Sequence, residues 1–331
     1  CILRIHFDFV NDPAILKVMN YELIIIGGGP AACAAAVYAA RKRIQTLLIA
    51  EEVGGQSSVS DTIYNWIGTP QISGTDLAKS FKAHIEEYAK PEHTLTLMLG
   101  KRVTAVSKDT ADTFLVTVDG TPEPLTAKSV LIATGSSHRK LEVTGADKFE
   151  HKGIMYCATC DGPLFSGMPV VVIGGGNAAL EAVLQLSQYA EHVTLLHRSE
   201  KYRADQITVD NVAKLPNVTL KTNIELMEIK GEQFVSAVVY KEKDATDATE
   251  LPVSGVFVEI GQIPSTSFAK DIVPLTQDGK IFVDPMNQRT KMLGIWAAGD
   301  CTNGLYHQNN IAAGDAVKAI EDLYVWLKTG K

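Results

Sequence analysis

The chain has no concentration of charge of either sign. Its 31 Lys and Arg stand against 38 Asp and Glu, interspersed, for a formal charge of -7. That balance favours solubility and excludes the basic footprint that a nucleic-acid partner requires. Cysteine is scarce as well. Five in 331 residues cannot make a disulfide scaffold, so a reducing, cytoplasmic setting is expected. Long apolar runs are nearly missing. The one exception is Leu23 to Ala40, 18 residues without a charge, but three glycines and Pro30 interrupt it. Strand, turn and helix are expected there, and no membrane span. Low-complexity segments are absent. Residues 1–18 are not expected to be a signal peptide, because Asp8, Asn11 and Asp12 break any apolar core there. Met19 stands just before the apolar run Tyr21–Ile26. It reads as the natural start, with residues 1–18 an upstream extension.

What the chain does contain is glycine in two matched places. The run Tyr21–Ile26 leads into Gly27-Gly28-Gly29-Pro30-Ala31-Ala32, an Ala-rich helical stretch to about Arg43, and a second apolar run over Thr46–Ala50. Glu51 and Glu52 follow. Strand, Gly-x-Gly-x-x-Ala, helix, strand and acid form the pattern of a dinucleotide loop. The glycines let the backbone approach a pyrophosphate, the helix N-terminus offers it N–H groups, and the acid accepts from a ribose hydroxyl. Downstream, Pro169–Ile173 leads into Gly174-Gly175-Gly176-Asn177-Ala178-Ala179, a helix over Leu180 to Tyr189, and an apolar run over Val193–Leu196. Here the acid is replaced by His197-Arg198, with Arg203 nearby. Losing the acid removes repulsion, and two guanidinium groups supply charge-assisted donors for a 2′-phosphate. One loop is therefore read as built for a ribose hydroxyl, the other for a ribose phosphate. Between Gly54 and Gly74 the composition turns to Gly, Ser, Thr and Asn, which predicts a loop that serves either as a ligand contact or as a connector.

Between the two loops stands Cys157-Ala158-Thr159-Cys160-Asp161. Cys-x-x-Cys spacing serves redox dithiols and half-zinc sites alike. Zinc needs two further ligands, yet Cys1, Cys33 and Cys301 are isolated and no paired histidine appears. A redox pair is the reading favoured. Asp161 suits acid/base work beside a thiol, and its position equally permits a helix N-cap.

Two nucleotide loops flanking Cys-Ala-Thr-Cys-Asp, with Gly299-Asp300-Cys301 near the end, resemble the low-molecular-weight thioredoxin reductases. The resemblance runs from Met19 to Leu327 without large gaps. It implies an α/β fold of two Rossmann-like domains of the three-layer ββα type, with the NAD(P)H domain inserted in the FAD domain. The implied limits are residues 19–136 and 266–331 for the FAD domain and 139–263 for the NAD(P)H domain with its dithiol. To the FAD site the resemblance assigns the first glycine loop with Glu51, then Gly54, Gly55, Gln56 and Asn65. Ala133, Thr134, Gly135, Gly299, Asp300, Gln308 and Asn309 complete that set. The second loop, with His197, Arg198 and Arg203, is assigned to NADPH.

The resemblance further implies a homodimer and a relay of electrons from NADPH through FAD to the Cys157–Cys160 disulfide. Cys160 would face the flavin, Cys157 would attack the disulfide of thioredoxin or a thioredoxin-like partner, and Asp161 would move the proton. In the family the inserted domain turns between two orientations, with crossings here near Ser136–Ser137 and Ile263–Ser265. Asp161-Gly162-Pro163-Leu164-Phe165 and Ala204-Asp205-Gln206 lean toward a cousin, the flavoprotein component of alkyl hydroperoxide reductase. The sequence does not show that cousin's N-terminal thioredoxin-like region, which favours a free partner protein. Ser199 stands where the family often has a second Arg, and His307 replaces another Arg. An NADH-dependent reductase of a peroxiredoxin-linked protein, and a flavin–dithiol sensor without turnover, are the alternatives. Ferredoxin–NADP reductases of related fold lack the cysteine pair.

Overall fold

A computed structural model describes residues 21–60, 62–109 and 113–330. The expectations for residues 1–18 and Met19 lie outside the described residues. Contacts divide the chain into two units, one of residues up to Ser137 together with Ile263 onward, the other His138–Gln262.

The first unit begins with β1 (Tyr21–Ile26), α1 (Pro30–Arg41) and β2 (Thr46–Ala50). A short 3-10 turn over Gly55–Val59 interrupts the expected loop, and α2 (Gly74–Glu87) follows. Ser73 caps α2, its hydroxyl accepting from the Asp76 N–H at 3.0 Å. Next come β3 (Leu95–Leu99), β4 (Val103–Lys108), β5 (Phe114–Val118), β6 (Leu125–Ile132) and β7 (Ser136–His138). The sheet runs in the order β3-β2-β1-β6-β5-β4. β1 alternates cleanly: Leu23 and Ile25 face the alanines of α1, while Ile24 and Ile26 face Phe114 and Val116. Alanine side chains on α1 let that helix sit close to the sheet, with no bulk to hold it away.

The second unit carries β8 (Ile154–Met155), α3 (Ala158–Asp161), β9 (Pro169–Gly174), α4 (Asn177–Leu186), β10 (His192–Leu196) and α5 (Gln206–Val212). Strands β11 (Val218–Lys221), β12 (Ile224–Gly231), β13 (Val235–Glu242), β14 (Thr249–Pro252) and β15 (Gly255–Glu259) complete it. Its main sheet is parallel throughout, in the order β11-β10-β9-β15-β8. Being covered on both faces, its strands read as nearly unbroken apolar runs such as Val170–Ile173. The antiparallel ribbon β12-β13-β14 packs on one face through Val238 and Tyr240.

The chain returns to the first unit through β16 (Gln262–Pro264), then β17 (Ile295–Ala297) and α6 (Asn309–Thr329). β6 changes partner along its length: Leu125–Ala127 pair antiparallel with β5, and Val130–Ile132 pair parallel with β17. That switch divides the sheet into a parallel layer under α1 and α6 and an antiparallel β layer. Trp296 on β17 is fully buried, donates to Asp322 at 2.9 Å and meets Trp326 edge to face. Two dinucleotide-type α/β units of the ββα kind are the fold that the family resemblance implied. Among the described residues no helix is long and apolar enough to cross a membrane.

Candidate active site

Each glycine loop links a strand to a helix N-terminus. In the first unit, β1 ends at Ile26 and α1 begins at Pro30, whose missing N–H costs nothing in the first turn. Gly27 has φ 128°, and a side chain there would run into the Ala133 carbonyl, so only glycine serves. Gly29 is different: a Cβ on it would meet nothing within 4 Å. That open side faces a cavity of about 1150 Å³, ample for a dinucleotide.

Gly27, Gly29, Pro30 and Ala31 line one end of the cavity, and Glu51 lines it beyond β2. Gly55 and Gln56 come from the 3-10 turn, while Ala133, Thr134 and Gly135 follow β6. Gly299, Asp300, Gln308 and Asn309 close it from the β17–α6 side. Three expected residues do not line the cavity. Ala32 is buried in α1, and Gly54 packs on Ala78 of α2. Asn65 donates to Gln308 at 2.8 Å. Its carbonyl also accepts from Asn310, and Ser57 donates to Asn309 at 2.8 Å, so the loop before α2 is tied to the start of α6.

Several wall residues escaped the sequence reading. Lys101 and Arg102 follow β3, and the Arg102 guanidinium donates to Glu51 at 2.9 Å. Ser265, Phe268, Lys270 and Asp271 come from the segment after β16. His307, singled out by the sequence, is not part of the wall but lies next to it, between Asp300, 3.5 Å from its Nδ1, and Lys280, 2.9 Å from its Nε2. Cys33 and Cys301 are buried near this cavity, and burial pushes their thiols up to about 12 and about 11. At such values neither is a nucleophile at neutral pH.

In the second unit, β9 ends at Gly174, and Gly176 precedes α4. Gly174 packs against the Glu259 carbonyl and the Ala179 side chain, whereas a Cβ on Gly176 would again meet nothing within 4 Å. Ala179 is buried, and Ala178 is exposed at the start of the helix. The basic segment after β10 is clamped onto this loop. The Arg203 N–H donates to the Gly175 carbonyl at 2.7 Å, and Asp205 N–H donates to the Asn177 side chain at 2.9 Å. His197 is buried, with its ring over Gly175 and stacked on Tyr202, and its Nε2 is 3.1 Å from the Lys201 carbonyl. It therefore supports the loop from beneath. Arg198 and Arg203 are exposed, and among the described residues their guanidinium groups make no hydrogen bond or ion pair.

Cys157 and Cys160 form a disulfide with Cα atoms 5.3 Å apart. Cys157 is the N-cap of α3, and its Sγ accepts from the Cys160 N–H at 3.1 Å. Asp161 ends α3 and makes no side-chain capping bond to the 3-10 turn that follows. The expected N-cap role thus falls to Cys157. Tyr156 donates to Glu150 at 3.0 Å and stacks on His138, and burial raises its pKa.

A family model described as pyridine nucleotide-disulphide oxidoreductase matches residues 21–316. The chain belongs to the pyridine nucleotide-disulphide oxidoreductase family. Thioredoxin reductase from Streptococcus pyogenes superposes with TM-score 0.85 at 32% identity, over 93% of this chain and 98% of that one. Thioredoxin reductase from Giardia duodenalis gives TM-score 0.86 at 29% identity, over 94% and 99%. The Staphylococcus aureus alkyl hydroperoxide reductase F component is 37% identical over 90% of this chain. The chain spans 57% of the length of that relative. FAD and NAD(P)H are the cofactors of such oxidoreductases, and the open faces of Gly29 and Gly176 at two helix N-termini fit two pyrophosphates.

Proposed function

We propose that this chain is a flavoprotein disulfide reductase, taking electrons from NADPH and delivering them to the disulfide of thioredoxin or a thioredoxin-like protein. The observation that carries the reading is the makeup of the second unit. One compact body holds the Cys157–Cys160 disulfide and a glycine loop flanked by two unengaged arginines.

The first unit's cavity would hold FAD, which when bound would supply two-electron chemistry between a nicotinamide and a disulfide. The protein's own groups supply the rest. Gly27, Gly29 and the α1 N-terminus hold a pyrophosphate, and Glu51 meets a ribose hydroxyl. Arg198 and Arg203 hold the 2′-phosphate of NADPH, and Gly176 with the α4 N-terminus holds its pyrophosphate. Once reduced, Cys157 sits at a helix N-terminus where a backbone N–H points at its sulfur, which favours the thiolate. That thiolate attacks the partner disulfide and forms a mixed disulfide. Cys160 then attacks Cys157, re-forming the pair and releasing the partner as a dithiol. Asp161, next to Cys160, carries the proton that the departing thiolates require.

The deciding experiment assays FAD-loaded protein with NADPH and NADH against a panel of thioredoxins and peroxiredoxin-linked thioredoxin-like proteins. Steady NADPH consumption with a thioredoxin is the expected result. Flavin reduction with no turnover on any partner would point instead to a sensor. The 37% identity to the alkyl hydroperoxide reductase F component favours, as the second reading, a peroxiredoxin-linked partner with NADH as donor. Sedimentation of the loaded protein tests the homodimer.

A further inference from the structure

The strand order of the second unit ranks the parts of a bound dinucleotide. In a sheet of this kind the ligand lies across the carboxyl ends of the strands. Three neighbours matter, in the order β10, β9, β15. β10 leads into Arg198, and β9 leads into the glycine loop and α4. With the 2′-phosphate at the first and the pyrophosphate at the second, the nicotinamide half extends over the third. β15 ends at Glu259, which stands in register beside Gly174.

Glu259 is largely shielded, and among the described residues its side chain makes no hydrogen bond or ion pair. The partner on β9 is Gly174, with Gly175 next after it. On the β8 side the chain runs on past Met155 into Tyr156 and the disulfide-bonded Cys157, and the segment after β15 offers Ile260, Gly261 and Gln262. None of these carries charge. The one ionised group that acts on it is Glu181 on α4, also a carboxylate. Burial first, and then that like charge, push Glu259 up to about 8. It therefore holds its proton at neutral pH.

We propose that Glu259 distinguishes the oxidised from the reduced nicotinamide ring by giving up its proton to solvent when the ring carries positive charge. The inference rests on the assignment of a pyridine nucleotide to this loop. An oxidised ring bears one positive charge and a reduced ring none, so only the former stabilises a carboxylate beside it. The sign follows. Below about 8 the acid is protonated in the free protein, so binding of the oxidised nucleotide releases protons and tightens as pH rises. Each unit by which the ring lowers the Glu259 pKa makes about a tenfold difference between the low-pH and high-pH affinities. Glu181, by opposing ionisation, sets where that change falls.

The test is calorimetric binding to the FAD-loaded protein at neutral pH, in buffers of unequal ionisation heat. The probes are NADP⁺, NAD⁺ and their ADP-ribose counterparts, which lack the ring. Proton release with the ring-bearing nucleotide, and none with its ring-free counterpart, is expected. Glu259→Gln should abolish the release while still binding the ring-free compound, and Glu181→Gln should move the pH midpoint of affinity down. Equal release from ring-bearing and ring-free compounds in the unaltered protein would overturn the proposal, as would undiminished release from Glu259→Gln. Binding by none of the four probes would sink the nucleotide assignment and this inference together.

Discussion

At Cys157 the sulfur, the helix N-terminus and the Cys160 N–H meet within one turn of chain. Replacing either Cys157 or Cys160 by Ser should abolish reduction of a protein disulfide while leaving flavin reduction by the nicotinamide intact. Stopped-flow absorbance and a thioredoxin assay on the same preparation separate the two. Continued thioredoxin reduction by the double variant would disprove the relay. Arg198 is exposed and unengaged, so Arg198→Ala has no folded-state partner to orphan. A charge-assisted contact to phosphate contributes about 1.5–3 kcal/mol, so its loss should raise the NADPH Michaelis constant roughly tenfold or more and leave that for NADH nearly unchanged. Equal effects would show that Arg198 does not meet the 2′-phosphate. His197 teaches the limit of reading single residues. In sequence it stands where the ribose acid would be and is assigned with Arg198 and Arg203 to NADPH, yet it is buried over Gly175. Nothing local in sequence tells a ring that faces a ligand from one that props the loop.

Among the elements, the two strand–glycine–helix units were legible because everything that makes them is local. Apolar run, turn glycines and helix start follow one another within about one supersecondary unit. The remaining cavity wall was not legible, because Lys101–Arg102 and Ser265–Asp271 reach it from segments far away in sequence. No short-range pattern marks them. Within the second loop, Gly174 and Gly176 look interchangeable in sequence, but the structure gives them opposite duties. Gly174→Ala puts a methyl group into the Glu259 carbonyl and Ala179, and overpacking of that sort costs about 1–3 kcal/mol. It should lower the thermal midpoint. Gly176 has extended backbone and open space beside it, so Gly176→Ala should leave the midpoint of the nucleotide-free protein unchanged while weakening dinucleotide binding. Thermal scans with and without NADP⁺ distinguish the two, and matching behaviour of both variants would refute the distinction.

For the whole molecule, the chain passes between its units only twice, at Ser137–His138 and at Gln262–Ile263. On the first unit's side the Ser265 N–H donates to the Gly135 carbonyl at 3.0 Å, and on the second unit's side Arg139 donates to the Gly261 carbonyl at 3.0 Å. Backbone bonds thus brace each side, leaving few rotatable residues to absorb a turn of one unit. If the inserted unit turns during catalysis, a crosslink that locks the disulfide against the flavin should preserve flavin–dithiol exchange and stop NADPH turnover. Full turnover in a verified locked form would show that no rotation is needed. The burial of Trp296 on β17 has an optical consequence. All three tryptophans, Trp66, Trp296 and Trp326, belong to the unit that would bind FAD, and none lies within His138–Gln262. Emission excited selectively from tryptophan, at wavelengths beyond tyrosine absorption, should therefore report on one unit alone, dimming by energy transfer as flavin loads. Melting of the dithiol-bearing unit would pass unseen in that channel and appear only in circular dichroism.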